Sequence, residues 1–146
     1  MSSTLLLLDT HVWLWLLAGD HAELNKSAAL AKIKEASKTH RLRLSAISVW
    51  ETAFLIKAGR IHVDQDIPTW IAQAIKTPGM SIIPIDHRVA AESVLLPGAM
   101  HKDPADRFIV ATARLHEALL VTNDSKIHAY AKSDHVKAIG LEGSER

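Results

Sequence analysis

Short apolar runs alternate along this chain with longer amphipathic segments, a pattern that admits few architectures. The runs are Thr4 to Leu8, Leu42 to Leu44, Ser81 to Ile85, Leu119 to Thr122 and Val136 to Ile139. Parallel strands need long crossovers between them, and helices supply these, so strand and helix in alternation read as the α/β class. The helices carry their own punctuation. Asp9 can cap one beginning near His11; Asn25 one to about Thr39; Ser48 one to Ala58; Asp66 one to Lys76; and Asp86 one to Leu95. Gly59 and Gly79 follow two of these as stops. Asp103-Pro104 opens the longest central helix, with Pro104 at its first position, and His116 or Glu117 ends it.

At 146 residues a single domain spanning 1–146 is expected, with about residues 140–146 as a frayed tail. A hydrophobic share of 48% excludes a disordered chain. The absence of cysteine excludes disulfide scaffolds and cysteine-ligated metals, and points to a reducing cytoplasm. Val12 to Ala18, the longest apolar stretch, is far shorter than the roughly 20 residues that cross a bilayer. The first residues lack a positive segment before Leu5 to Leu8, so they read as a strand and not as a secretory signal. A net charge of +1 neither demands nor forbids a nucleic-acid partner. Lys26, Lys32, Lys34, Lys38, Arg41 and Arg43 crowd one region, either as a solvated face or as a phosphate-contacting patch.

The acids are informative through their placement. Asp9 closes the first strand and Asp124 follows the fourth, and the carboxyl ends of parallel strands are where ligands bind. Glu51 lies in the first turn of the helix after the second strand, three residues after Ser48 in a capping-box spacing. Asp103 and Asp106 share one helical turn, the first as cap and the second favoured by the macrodipole. Capping or turn formation explains each acid separately. Together they are carboxylates at several junctions that a parallel sheet gathers along one edge. Such groups repel unless a cation offsets them, and all-oxygen ligation favours Mg²⁺, with Mn²⁺ as a substitute. That chemistry suits phosphodiester hydrolysis by an activated water.

Other acidic α/β sites fit less well. A dehalogenase-type phosphatase needs Asp-x-Asp where this chain has Asp9-Thr10-His11, and a receiver domain needs an acidic doublet near the first strand. A single tyrosine beside four tryptophans does not suggest a carbohydrate cleft, and no histidine pair sits in a zinc-protease motif.

Four blocks carry a resemblance: Leu-Leu-Asp9-Thr-His-Val-Trp, Ser45-Ala-Ile-Ser48-Val-Trp-Glu51, His101-Lys-Asp103-Pro-Ala-Asp106-Arg, and Leu-Val-Thr-Asn-Asp124. In order and spacing the chain resembles the PIN-domain ribonucleases, more narrowly the VapC-type toxins of bacterial toxin–antitoxin pairs. The resemblance implies a three-layer α/β/α fold with a short, mainly parallel sheet of four to five strands. It implies a Mg²⁺- or Mn²⁺-dependent endoribonuclease with Asp9, Glu51, Asp106 and Asp124 as its acids. Asp9 and Asp106 would be the principal metal ligands, Glu51 and Asp124 auxiliary, and Asp103 an additional acid at the rim. The block departs from similar proteins at Ala105, where a bulky residue is common, which bears on pocket shape. RNA would be the substrate, an antitoxin protein the partner, and a homodimer the expected assembly, within a larger toxin–antitoxin complex. A non-catalytic PIN-like binding module is the alternative reading.

Around the acids, Thr10, Ser45, Ser48, Thr122 and Asn123 are candidates for the water shell or the phosphate, and Arg107 for RNA contact or a carboxylate pair. His101 is the histidine to test, with loop packing as the competing explanation. Val12 to Leu17 form a helix apolar nearly all round, which suggests burial on more than one side and a dimer interface. Trp13, Trp15, Trp50 and Trp70 read as core or interface.

Overall fold

The computed structural model describes residues 3–141. In chain order the elements are β1 (Leu6–Leu8), α1 (Thr10–Ala18), α2 (Ala22–Lys26), α3 (Ala28–Lys38), β2 (Leu42–Ser45), α4 (Ala46–Lys57) and α5 (Ile67–Ala74). Then follow β3 (Met80–Ile83), α6 (His87–Leu95), α7 (Pro104–Leu115), β4 (Leu119–Val121), α8 (Ser125–Ala131) and β5 (Ala138–Ile139). The strands form one parallel sheet in the order β3-β2-β1-β4-β5. β1 is central: Leu6 pairs with Leu42 on one side and with Leu119 on the other.

Strand alternation sends side chains to two separate cores. Leu6 and Leu8 pack with Trp13, Leu24, Ile33 and Ala36. Leu7 packs on the other face with Ile109, Val110, Ala113 and Ile127. Helices thus cover both faces, and β1 reads as an unbroken apolar run because neither face meets water. Leu7 and Leu8 are fully buried, and each such side chain contributes about 1.5–3 kcal/mol of burial.

Several helix starts differ from the sequence reading. The helix expected from Asn25 to Thr39 is divided at Ser27, which has extended backbone and caps α3 by accepting from the Ala29 N–H at 2.9 Å. Its hydroxyl also lies 2.8 Å from the Leu141 carbonyl, a tertiary contact no local pattern encodes. Leu141 itself is buried in the first core, so the tail expected from Gly140 does not begin there; residues 142–146 lie outside the described residues. α4 starts at Ala46, capped by Ser45, whose Oγ accepts from Ile47 N–H at 3.1 Å. Ser48 is therefore not a cap, and Glu51 is released from the capping-box role. Asp66, Asp86 and Asp103 cap α5, α6 and α7 as expected. The seven-residue α8, capped by Asp124, was legible only as a turn because Ile127 and Tyr130 are its only buried positions.

Arg41 and Arg43 are tied into the chain. Arg41 is buried and donates to the Thr4 carbonyl and Thr39 hydroxyl, while Arg43 donates to the carbonyls of His40 and Leu42. Among the described residues no helix is long and apolar enough to cross a membrane.

Gly79 and Gly59 both have positive φ, at 72° and 76°, but their surroundings differ. A Cβ on Gly79 would sit 2.0 Å from the Ser37 carbonyl oxygen, whereas one on Gly59 would meet nothing within 4 Å. Gly59→Ala is expected to cost about 1 kcal/mol, the left-handed penalty, and Gly79→Ala at least about 2–3 kcal/mol because a helix terminus must also move. Urea unfolding of the two variants checks the difference.

Candidate active site

The strand order reverses between β1 and β4, since the chain builds outward from β1 to β3 and then returns to the other side. The crevice beyond the carboxyl ends of these two strands is where open α/β sheets bind ligands. Asp9 emerges there. Its N–H donates to Val121 O at 2.9 Å, extending the β1–β4 pairing to the last position before α1. Asp9 is only 8% exposed, and its carboxylate is satisfied within the chain. Oδ1 accepts from Thr10 N–H at 2.8 Å, and Oδ2 from the Thr122 hydroxyl at 2.5 Å. That hydroxyl in turn accepts from Asp124 N–H at 3.0 Å, so one threonine joins the two strand ends.

Glu51 arrives from α4. Its Oε1 is 2.6 Å from the Thr10 hydroxyl, which lies 2.7 Å from Ser48 Oγ. An ionised carboxylate only accepts, so the Thr10 proton serves Glu51 and Ser48 donates to Thr10. Thr10 and Ser48 are buried at 1% and 0% exposure. Expected at the water shell or phosphate, they instead form an internal brace that sets Glu51 against Asp9.

Asp106 lies in the first turn of α7, with its side chain 18% exposed and Oδ2 2.7 Å from His101 Nε2. Asp103 caps the same helix by accepting from Ala105 N–H at 3.0 Å, and Asp124 caps α8 by accepting from Lys126 N–H at 2.8 Å. Arg107 is half-buried and pairs with no acid among the described residues: its guanidinium donates to the carbonyls of Ser93, Val94, Met100 and His101. The carboxylate pair expected for it is replaced by these backbone bonds. Asn123 is exposed beside the β4 end.

The electrostatics tie the acids into one site. Burial pushes the Asp9 carboxyl above the ordinary range, opposed by the bonds from Thr122 and Thr10, with Asp124 adding a smaller upward push. Burial also raises Glu51, opposed by Thr10 and reinforced by the charges of Asp9, Asp106 and Asp103. Asp106 is raised by burial, opposed by His101 and reinforced by Asp103, Asp9 and Asp124. Five acids drawn from four junctions therefore feel one another, and three carry a desolvation cost that their neighbours do not offset. Among the described residues no three of these groups form a ready-made metal cage.

Beside the acids the four tryptophans separate into two kinds. Trp13 is wholly buried and meets Trp70 edge-on with ring centroids 6.3 Å apart, and Trp15 stacks on His21 at 3.9 Å. Trp50, next to Glu51 in the chain, is 60% exposed and stacks on the equally exposed Phe54 at 5.6 Å. Exposed apolar side chains thus stand on α4 (Trp50, Phe54), at the end of α6 (Val94, Leu95) and at Leu17 of α1, while Val12 and Trp13 of α1 are buried within this chain.

Fold and site define an all-parallel α/β protein with an acidic cluster at its topological switch point. The PIN domain family model matches residues 6–133, and the chain belongs to the PIN-domain family. It is 36% identical over 130 residues to Ribonuclease VapC22 of Mycobacterium tuberculosis, covering 87% of this chain and 92% of that protein. Its fold is similar to VapBC2 from Rickettsia felis bound to a promoter DNA fragment, with a TM-score of 0.68 at 13% identity, covering 94% of this chain and 98% of the other. A toxin–antitoxin complex from Klebsiella pneumoniae is similar at 25% identity and a TM-score of 0.54, covering 82% of this chain and 87% of its counterpart.

The raised Glu51 carboxyl has a consequence for stability. The folded chain binds this proton more tightly than the unfolded chain, so ionising it costs stability; the cost is full above the folded pKa and vanishes below the unfolded one. Glu51→Gln keeps an acceptor for Thr10 and removes the charge. In metal-free protein at neutral pH it is expected to raise the melting temperature by up to about 2–4 °C, the shift that about 1 kcal/mol produces at this size. The advantage should fade as pH falls through the carboxylate range, measured by thermal scans of both proteins.

Proposed function

We propose that this chain is a divalent-cation-dependent endoribonuclease, the toxin member of a toxin–antitoxin pair, and that it works in the cytoplasm. The observation that carries the reading is the gathering of Asp9, Glu51 and Asp106, with Asp103 and Asp124 beside them, at the switch point of a PIN fold. The likeness to a VapC ribonuclease over most of both chains supports it.

The donor set fits a hard dication. Every candidate ligand is a carboxylate oxygen, and Mg²⁺ held by few carboxylates keeps waters of its own, so a closed protein cage is not required. The uncompensated repulsion among half-buried acids is the electrostatic condition that a dication relieves. Asp9 and Asp106 would hold the principal ion, with Glu51 and Asp124 auxiliary. When bound, the ion would lower the pKa of a water and offset charge on the phosphate's nonbridging oxygens.

The chain's own residues supply the rest. Thr122 and the Thr10 N–H hold Asp9 in one orientation, as a ligand that keeps an ion in a fixed place requires. Glu51, held by Thr10 and raised in pKa by burial, accepts the proton of the attacking water. Asp124 orients that water. In-line attack forms the new phosphorus–oxygen bond and breaks the bond to the 3′ oxygen, which takes up a proton and leaves a 3′-hydroxyl opposite a 5′-phosphate.

A ribonuclease of this kind needs restraint by an antitoxin. A groove of about 810 Å³ beside the site, lined by Trp15, Leu17, Arg60, Ile61, Val63 and Trp70, offers an apolar bed for such a partner. The exposed Trp50–Phe54 stack on α4 offers an apolar, aromatic face for a homodimer.

Incubating the partner-free chain with defined RNAs tests the activity. Cleavage is expected with Mg²⁺ or Mn²⁺, to be abolished by EDTA, and to fall by roughly 10²-fold or more in Asp9→Asn and Asp106→Asn variants that remain folded. Wild-type rates in Asp106→Asn would sink the assignment, and no cleavage together with no metal binding would favour the non-catalytic module. For the assembly, light scattering should give about 32 kDa for the wild type, twice the 16.0 kDa chain, and a monomer for Trp50→Glu with Phe54→Glu.

A further inference from the structure

The contact between His101 and Asp106 has no part in the scheme above. His101 sits in the segment between α6 and α7, outside regular structure, yet its ring is only 20% exposed and its Nε2 is 2.7 Å from Asp106 Oδ2. An ionised carboxylate cannot donate, so Nε2 carries the proton and donates it.

A loop histidine can orient a carboxylate only if the loop is itself held, and here the neighbouring residue does that. Arg107 turns away from the acids and donates to the carbonyls of Met100 and His101 at 3.1 and 3.3 Å. The same guanidinium reaches Ser93 O at 2.8 Å and Val94 O at 3.3 Å, in the last turn of α6. Four backbone acceptors from two segments thus close on one side chain, one residue beyond the acid that His101 contacts. Asp103 holds the first turn of α7 from the other side. The acid, the histidine and the loop backbone form one small rigid unit.

We propose that His101 is a positioning residue of the acidic site, fixing the Asp106 carboxylate through Oδ2 so that Oδ1 remains the acceptor for a cation, with Arg107 as the clamp that presents it. Among the described residues Oδ1 of Asp106 has no hydrogen-bond partner, in keeping with that division. The proposal rests on the divalent-cation reading given above. Partners that orient metal ligands in this way are worth about 10- to 100-fold in metal affinity when removed.

Calorimetric titration of Mn²⁺ into the metal-free full chain tests it. His101→Ala is expected to weaken Mn²⁺ binding by about 10-fold or more with a melting temperature within about 2 °C of wild type. His101→Gln, whose amide N–H can occupy the place of Nε2 without titrating, should restore most of the affinity. Arg107→Met, if folded, should weaken binding in the same direction, and adding His101→Ala to it should cost less than it does alone. Unchanged affinity in His101→Ala would overturn the proposal, as would failure of His101→Gln to restore it in a folded protein. A wild-type chain that binds no Mn²⁺ would remove the cation reading and this proposal together, and the same titration separates that outcome from the other two.

Discussion

The structure depends on keeping a carboxylate at the end of its innermost strand. β1 is covered on both faces and paired on both sides, so Asp9 leaves it into surroundings that cannot hydrate an acid well. Burying a charge is tolerated only when hydrogen bonds satisfy it, and here the bonds come from the two places the strand end touches. Thr10 begins the next helix, and Thr122 directly follows the neighbouring strand. The Thr122 bond joins positions 113 residues apart and lies on the line where the sheet changes direction. Weakening it would loosen the pairing of β1 with β4 as well as the acid.

The remaining acids reach the site through an ordinary device used repeatedly. Asp9, Asp103 and Asp124 are all N-caps, so the backbone N–H groups that they satisfy also aim helix N-termini toward the crevice. The positive ends of α1, α7 and α8 thereby share one neighbourhood with the carboxylates and moderate their repulsion. Moderation is incomplete, as the upward displacement of Asp9, Glu51 and Asp106 shows. That residue of unfavourable charge is what a bound dication would relieve.

Legibility from sequence followed the range of the interaction. Asp66, Asp86 and Asp103 could be recognised as caps because the cap and its helix are adjacent in sequence. Asn25 and Ser48 were plausible caps by the same rule and were displaced by Ser27 and Ser45. For Ser27 the deciding partner is Leu141, and for Ser48 it is Thr10, both remote in sequence. Asp9, Glu51, Asp106 and Asp124 stood out because α/β architecture sends strand ends to one edge. The backbone bonds of Arg107 were not legible, since carbonyl partners leave no trace in residue identity.

Alternation of apolar runs with amphipathic stretches determined the α/β class from sequence alone, because strand and helix periods are local properties of the chain. Acid placement after strands and at helix starts likewise named the candidate residues, and the four blocks named the family. The tertiary structure alone decided that β1 lies between β2 and β4, which places the crevice at Asp9. It decided that Thr10 and Ser48 brace Glu51 from within, that His101 meets Asp106, and that the free aromatic face is on α4. Each of these depends on which distant segments share space, a matter of packing and chain crossing that a one-dimensional pattern does not carry.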